Sequence, residues 1–118
     1  MAMADVKQAL VSTEEIEITV TGRKSGRRIS IPVWFVLEGD ILYLLPVTGS
    51  ESDWYKNILR NPMMTIAVRG MEVTVNVKPI TDPDKVQEIV EKFRAKYGAA
   101  NIQRYYSKFD VAVEAPLH

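Results

Sequence analysis

The first clear pattern along the chain is a strict alternation of apolar and polar residues in Glu15–Thr21. Ile16, Ile18 and Val20 fall on one face, and acidic or hydroxyl residues fall on the other. A period of two residues is typical of a β-strand with one buried face. We therefore predict a half-buried strand over this segment.

Five further segments are predicted to be strands, because they are apolar or β-branched and turn residues lie between them. They are Ile29–Leu37, Ile41–Leu45, Met64–Arg69, Glu72–Ile80 and Phe109–Ala115. The turn residues at 38–40 and at Gly70 indicate two hairpins. Pro32 lies inside the first of these five segments, and proline lacks a backbone donor. That strand is therefore expected at a sheet edge or at a bulge.

Helical periodicity replaces alternation in two segments. One starts at a serine cap, at position 50 or 52, and runs to about Arg60; the other runs from Thr81–Asp84 to Gly98. Shorter helices are predicted over Asp5–Leu10 and Asn101–Tyr106. Strands and helices do not alternate strictly, which excludes a doubly wound α/β fold. The order instead favours a mainly β, α+β fold, a small closed or partly closed antiparallel barrel.

Composition narrows the function classes. The 118 residues fit one domain, residues 1–118, and no apolar run is long enough for a membrane span. The first ten residues show no secretory signal, so a cytoplasmic location is expected. There is no cysteine, and the single histidine is His118, so a thiol nucleophile, a metal site or a serine–histidine triad is not expected. An enzyme with so few reactive side chains would depend on a cofactor.

The segment Thr21–Arg28 holds four cations, one hydroxyl and two glycines between two predicted strands. Glycine allows a turn that presents backbone N–H groups, and Arg23 and Lys24 can neutralise an anion. With Ser25 and Gly26, these residues form a candidate phosphate cradle. The alternative is a solvated hairpin loop with surface charge.

Three aromatic groups are candidates for a ring-binding cleft. Trp34 lies beside Pro32, near the Val47–Thr48 segment of the neighbouring strand end; core packing is the alternative for Trp34. Trp54 and Asn57 share a helix face at spacing i, i+3, and Asn57 would bind a ligand or satisfy backbone groups. The third group, the cluster Tyr97, Tyr105, Tyr106 and Phe109, would line a pocket or form core.

These motifs together resemble a known family. The segment T-G-R-K-S-G, a proline six residues later and a W-x-x-N helix ending in N-P resemble the deazaflavin-dependent nitroreductase family. That family belongs to the flavin- and deazaflavin-binding group with the pyridoxamine-phosphate-oxidase-like split β-barrel. The resemblance covers about Ile18 to Val77, more than half of the chain. It implies a six-stranded antiparallel split β-barrel with two to three helices.

The resemblance also implies a cofactor, FMN or coenzyme F420, and assigns residues to it. Arg23, Lys24, Ser25 and Gly26 would hold its phosphate, while Pro32, Trp34, Val47, Thr48, Trp54 and Asn57 would lie beside its ring. Tyr105 and Tyr106 would lie on the substrate side, and no catalytic residue is assigned. The family's Ser-Lys-Gly-Gly stretch is replaced here by Val47–Ser50. FMN needs fewer cations than the long anionic tail of F420, so the choice between them stays open.

The activity implied by the resemblance is hydride transfer between the reduced cofactor and a quinone- or nitro-type acceptor, by a homodimer. A binding module for FMN, F420 or another anionic aromatic ligand, without turnover, stays open beside it. A nucleic-acid-binding barrel is a weaker rival, because Lys plus Arg and Asp plus Glu are both 15 and the net charge is zero.

Overall fold

The computed structural model describes residues 3–117, which form four α-helices and eight β-strands. The helices are α1 (Met3–Val11), α2 (Asp53–Arg60), α3 (Pro83–Tyr97) and α4 (Ala99–Tyr105). The strands are β1 (Glu15–Thr21), β2 (Arg28–Trp34), β3 (Val36–Glu38), β4 (Ile41–Leu44), β5 (Met63–Val68), β6 (Met71–Asn76), β7 (Lys78–Ile80) and β8 (Ala112–Pro116). A 3₁₀ turn, Gly49–Glu51, precedes α2.

The strands form two four-stranded antiparallel sheets rather than one closed barrel. Their orders are β2-β1-β5-β6 and β3-β4-β8-β7. The predicted mixed, strand-rich architecture is confirmed, but the six strands and two to three helices implied by the resemblance are fewer than the eight strands and four helices observed. Two predicted strands each pass from one sheet to the other and are divided at the bend, at Phe35 and at Val77. Both bend residues are apolar and buried. The apolar pattern of the sequence therefore does not reveal that the strand is interrupted there.

Two hydrophobic cores lie on opposite faces of the second sheet. The main core, between the sheets, includes Ile16, Ile18, Phe35, Leu44, Ile58, Met64 and Ile66. The helical core, between the second sheet and helices α3 and α4, includes Tyr43, Leu45, Ile89, Phe93, Ile102 and Tyr106. The helix prediction ending at Gly98 is confirmed, because Gly98 has φ 95° and separates α3 from α4. Within residues 3–117 no helix is long and apolar enough to cross a membrane.

Strand β2 lies at an edge, as Pro32 predicts. Its register with β1 places Val33, Ile31 and Ile29 opposite Ile16, Ile18 and Val20, so all six side chains share the inner face. The three on β1 are at most 4% exposed, whereas Ile29 is 40% exposed and the other two on β2 are half-buried. The sheet is therefore covered at its centre and uncovered at this edge.

Candidate functional site

A cavity of about 710 Å³ lies against the uncovered edge, where the two cores meet. Strand β2 supplies one wall, through Ile29, Ile31, Pro32, Val33 and Trp34, and Glu15 of β1 borders it. The remaining wall consists of Leu45, Val47, Thr48, Ser52, Asp53, Trp54, Asn57, Tyr105 and Tyr106. Cavities of about 300–1,000 Å³ lined mostly by apolar groups are typical of small-molecule sites.

Exposed apolar side chains concentrate at this cavity. Of the six large hydrophobic side chains exposed in residues 3–117, Ile29, Val47 and Tyr105 line it. Their exposed fractions are 40, 47 and 51%. Clustered apolar exposure marks a binding surface more often than scattered exposure does. Half of the exposed large hydrophobic side chains in residues 3–117 therefore border this one cavity.

Polar contacts hold the loop between β4 and α2 in place. Ser52, which is buried, accepts a hydrogen bond from the Thr48 backbone N–H at 3.1 Å, and the two hydroxyl oxygens are 2.8 Å apart. The Ser107 N–H donates to the Val47 carbonyl at 2.9 Å. These contacts place Val47 and Thr48 in the cavity wall. The Ser107–Val47 bond joins distant segments, so no local pattern indicates it.

Asp110 fixes the same loop from the other side. Its carboxylate accepts hydrogen bonds from the Ser50 N–H, at 3.0 Å, and from the Ser50 hydroxyl. Burial acts to raise the pKa of Asp110, but these Ser50 bonds, with a smaller contribution from Lys108, lower it overall. Gly49 has φ 59°, and a Cβ there would lie 2.1 Å from the Asp110 carboxylate. Glycine is therefore required at the turn, a role that the sequence analysis missed.

A second pocket, of about 270 Å³, adjoins the cavity and contains the basic loop. It is lined by Gly22, Arg23, Lys24 and Ser25, and it shares Ile29, Asp53 and Asn57 with the larger cavity. The loop closes on itself through Gly22 N–H to Arg27 O, at 2.7 Å. Gly26 adopts φ 72° and does not line either pocket. The loop and the aromatic cleft, predicted separately, are therefore brought together.

The two loop cations that line this pocket, Arg23 and Lys24, differ in their surroundings. Arg23 donates from its backbone N–H and from Nη1 to Asn57 Oδ1, at 3.1 and 2.8 Å, and Nη2 lies 3.5 Å from Asp53 Oδ1. Lys24 is exposed and makes no hydrogen bond or ion pair with any residue in 3–117. Of the two cations that line this pocket, Lys24 is consequently the one available to a ligand, while Arg23 joins the loop to α2.

Two residues that line the cavity, Asn57 and Tyr106, each carry a donor group with no hydrogen-bond partner within residues 3–117. Asn57 is 3% exposed; its oxygen accepts from Arg23, and its Nδ2 makes no hydrogen bond within residues 3–117. Tyr106 is 6% exposed, and its hydroxyl is likewise unbonded in the described structure. No fully buried side-chain N or O atom there lacks a partner, so both groups keep accessible surface. Both residues line the cavity, and neither donor is taken by another group within residues 3–117.

Aromatic rings surround the Tyr106 side of the cavity. Trp34 contacts Tyr105 edge-on, with centroids 5.6 Å apart, and Tyr106 at 6.2 Å. Burial, with a smaller effect of Tyr97, raises the pKa of Tyr106. The phenol therefore stays protonated at neutral pH and acts as a hydrogen-bond donor.

The structure thus brings the predicted site residues to one place. Arg23, Lys24 and Ser25 line the smaller pocket, and Pro32, Trp34, Val47, Thr48, Trp54, Tyr105 and Tyr106 line the larger cavity. Asn57 borders both, and Gly26 borders neither. Their roles toward a cofactor stay predictions. Asp53, Ser52 and the inner isoleucines were not predicted as site residues.

Solved structures with the same fold include three informative ones. An F420-H2 dependent reductase, FDR-A, superposes with a TM-score of 0.67 at 17% identity, over 86% of this chain and 93% of that one. A putative pyridoxamine 5'-phosphate oxidase from Listeria innocua gives 0.70 at 13% identity, over 96% and 90%. A heme binding protein from Mycobacterium smegmatis gives 0.69 at 15%, over 98% and 51%. At these identities the likeness shows the fold.

The comparisons confirm the resemblance to the split-barrel group at the level of fold. No curated protein matches the chain. A family model does match, over residues 7–114, and its description is "Uncharacterized protein conserved in bacteria". Since that match spans most of the sequence, the chain belongs to the family DUF2255.

Proposed function

We propose that this protein is a single-domain, cytoplasmic oxidoreductase that uses FMN or coenzyme F420. When bound, the cofactor would supply hydride transfer between its reduced ring and a quinone- or nitro-type acceptor. The observation that carries the proposal is an open apolar cavity joined to a pocket with an available cation. The fold shared with an F420-H2 dependent reductase adds support.

The larger cavity suits a planar ring system. Its aliphatic wall on β2, Ile29, Ile31 and Val33, offers a flat apolar surface, and Trp34 and Trp54 add aromatic faces. The Asn57 Nδ2 group can donate to a ring oxygen or nitrogen without losing a bond inside the protein. A ligand with hydrogen-bond acceptors on its ring would therefore accept from the Asn57 Nδ2 group.

The smaller pocket suits one anionic group. Lys24 is available, and Ser25 adds a hydroxyl beside the glycine-containing turn. Arg23 contributes positive potential, but Asp53 offsets part of it. One available lysine is enough for a single phosphate, which both cofactors carry, so this pocket leaves FMN and F420 as alternatives.

Tyr105 and Tyr106 would face the acceptor. Tyr106 is held protonated by burial, so its hydroxyl can donate to an oxygen that gains negative charge during reduction. The protein's own contribution would be orientation, an apolar environment and this donor.

A binding module without turnover is the second candidate. One observation favours it: the cavity side chains described here are apolar groups, hydrogen-bond donors and carboxylates, with no histidine or cysteine among them. Ligand retention needs nothing more, so turnover has to be measured.

We also propose a homodimer. Strand β2 has an unpaired edge, and Ile29 and Val47 are exposed beside it. An unpaired strand edge with apolar neighbours is readily covered by another chain. Sedimentation should give about twice the 13.4 kDa of one chain, with or without cofactor. A sedimenting species of one chain at micromolar concentration contradicts the dimer.

The first experiment is to titrate purified protein separately with FMN and with F420 and to record the visible absorption spectrum. Lys24→Ala should weaken binding at least about tenfold, since a charge-assisted contact contributes ~1.5–3 kcal/mol. Arg27→Ala is the matched control, because Arg27 lies in the same exposed loop but lines neither pocket. Equal affinities for both variants and the original chain would refute the phosphate assignment.

Turnover separates the two candidate functions. The reduced cofactor should be reoxidised by menadione or by a nitroaromatic compound faster with protein than without it. Binding with no acceleration would identify the protein as a binding module.

A further inference from the structure

The bend between β2 and β3 leaves the backbone of Phe35 outside both strands. Phe35 is 0% exposed, and a buried backbone needs hydrogen-bond partners. The end of α3 supplies them. Lys96 Nζ donates to the Phe35 carbonyl at 2.8 Å, and the Phe35 N–H donates to the Tyr97 hydroxyl at 3.1 Å.

The Tyr97 hydroxyl also reaches the start of β1. Its oxygen lies 2.6 Å from the Glu14 carbonyl and 2.9 Å from the Phe35 carbonyl. A phenol has one hydrogen, and Lys96 already serves Phe35, so Tyr97 donates to Glu14. One hydroxyl therefore joins the start of β1, the β2–β3 bend and α3.

The ring of Tyr97 contacts the cavity wall from behind. It stacks on Trp34, with ring centroids 4.4 Å apart and planes 5° from parallel. Trp34 lines the cavity, whereas Tyr97 is absent from the described lining residues. The Trp34 indole thus stacks on a ring that is itself held through its hydroxyl.

We propose that Tyr97 is a positioning residue for the cavity: its anchored ring sets the plane of Trp34 and thereby the affinity for a planar ligand. The effect on affinity rests on the proposed function; the effect on Trp34 does not. Burial raises the pKa of Tyr97 to about 12; the backbone hydrogen bond of Phe35 acts to lower it, and the charges of Glu14 and Glu15 act to raise it. The Tyr97 hydroxyl therefore stays protonated and keeps its hydrogen bonds at neutral pH. Lys96 contributes to the anchor as a cation 4.9 Å above the Tyr97 ring.

The test uses a Trp54→Phe background, which leaves Trp34 as the single indole. In it, Tyr97→Leu should change the near-ultraviolet circular dichroism and emission of Trp34, and Tyr97→Phe should change them less, because the stacked ring remains. Ile89→Val is the control, since it removes one methyl group from the same helix and core and leaves the Tyr97 ring and hydroxyl in place. FMN affinity in the otherwise unchanged chain should fall roughly three- to tenfold for Tyr97→Leu and stay constant for Ile89→Val.

The outcomes separate this inference from the proposed function. An unchanged Trp34 spectrum in Tyr97→Leu overturns the positioning role, whether or not a cofactor binds. A changed spectrum with unchanged FMN affinity overturns the link to ligand binding. If the unaltered protein binds neither FMN nor F420, the proposed function and the affinity part fail, and the spectrum alone decides whether Tyr97 orients Trp34.

Discussion

Strands β1 and β2 carry the same kind of side chain on the same face of one sheet, yet their surroundings differ. Ile18 on β1 is 0% exposed and lies opposite Ile31 on β2, which is half-buried. β1 has a strand on either side and both the second sheet and α2 to cover it, whereas β2 is an edge strand facing the cavity. Residues of the same kind therefore lie in the core in one strand and line the cavity in the other.

The difference shows how a small domain keeps an apolar cavity at the edge of a sheet. The fold loses stabilisation at Ile29, Ile31 and Val33, because these side chains are only partly covered. Burial of apolar surface stabilises a fold by about 25 cal/mol per Å². A bound planar molecule or a second chain would recover that burial. In each β1–β2 residue pair, we therefore expect the β1 residue to contribute to the stability of the fold and the β2 residue to contribute to ligand binding.

The largest expected effect comes from the paired isoleucines. Ile18→Ala should lower the free energy of unfolding by about 2–5 kcal/mol, because it leaves a cavity in the closed core. Ile31→Ala should lower it by less than about 1.5 kcal/mol, since its side chain is already partly solvated, but it should weaken cofactor binding. Urea unfolding and cofactor titration of both variants check this. Equal stability losses would contradict the proposed division between the strands.

The loop on the far side of the cavity gives the next effect. Gly49→Ala should destabilise the fold by about 2–4 kcal/mol, because the residue has φ 59° and its Cβ would meet Asp110 at 2.1 Å. Gly39→Ala is the matched control: φ is 60°, with no atom within 4 Å of its Cβ. It should cost only the conformational strain, about 1–2 kcal/mol. Thermal unfolding that gives equal losses would show that the Asp110 contact does not constrain the loop.

Substitutions at Asn57 can separate its two roles, which are to accept hydrogen bonds from Arg23 and to donate to a ligand. Asn57→Asp keeps the oxygen that accepts from Arg23 and removes the unbonded Nδ2 donor. Cofactor affinity should fall up to about tenfold with little change in melting temperature. Asn57→Ala should lower both, because the Arg23 loop also loses its partner. Unchanged affinity in Asn57→Asp would restrict Asn57 to a structural role.

The smallest effect is a pH dependence at Asp110. Its pKa is lowered in the folded protein, so its hydrogen bonds to Ser50 stabilise the fold above the unfolded pKa of about 3.9. That contribution is lost as the pH falls through the folded value. The difference in melting temperature between the unaltered chain and Asp110→Asn should shrink as the pH is lowered from 7 to 3. A constant difference would mean that the Asp110 charge contributes nothing.

Local sequence patterns were enough to locate most elements and many of the residues that line the two pockets. Alternation predicted β1 within its observed bounds, and Pro32 predicted an edge strand. The glycine-flanked cations and the W-x-x-N helix predicted two groups of residues that do lie together. These signals are local, because side-chain periodicity and turn chemistry act over a few residues.

Tertiary structure decided the rest, because it depends on contacts between distant segments. No pattern within Ile29–Leu37 indicates that its backbone bends at Phe35, where Tyr97 and Lys96 replace the missing strand partners. Nor does the basic loop show that Asp53 engages Arg23 and leaves Lys24 available. The sequence by itself determined which side chains are apolar; which apolar face stays uncovered was decided by the order of strands in the sheet.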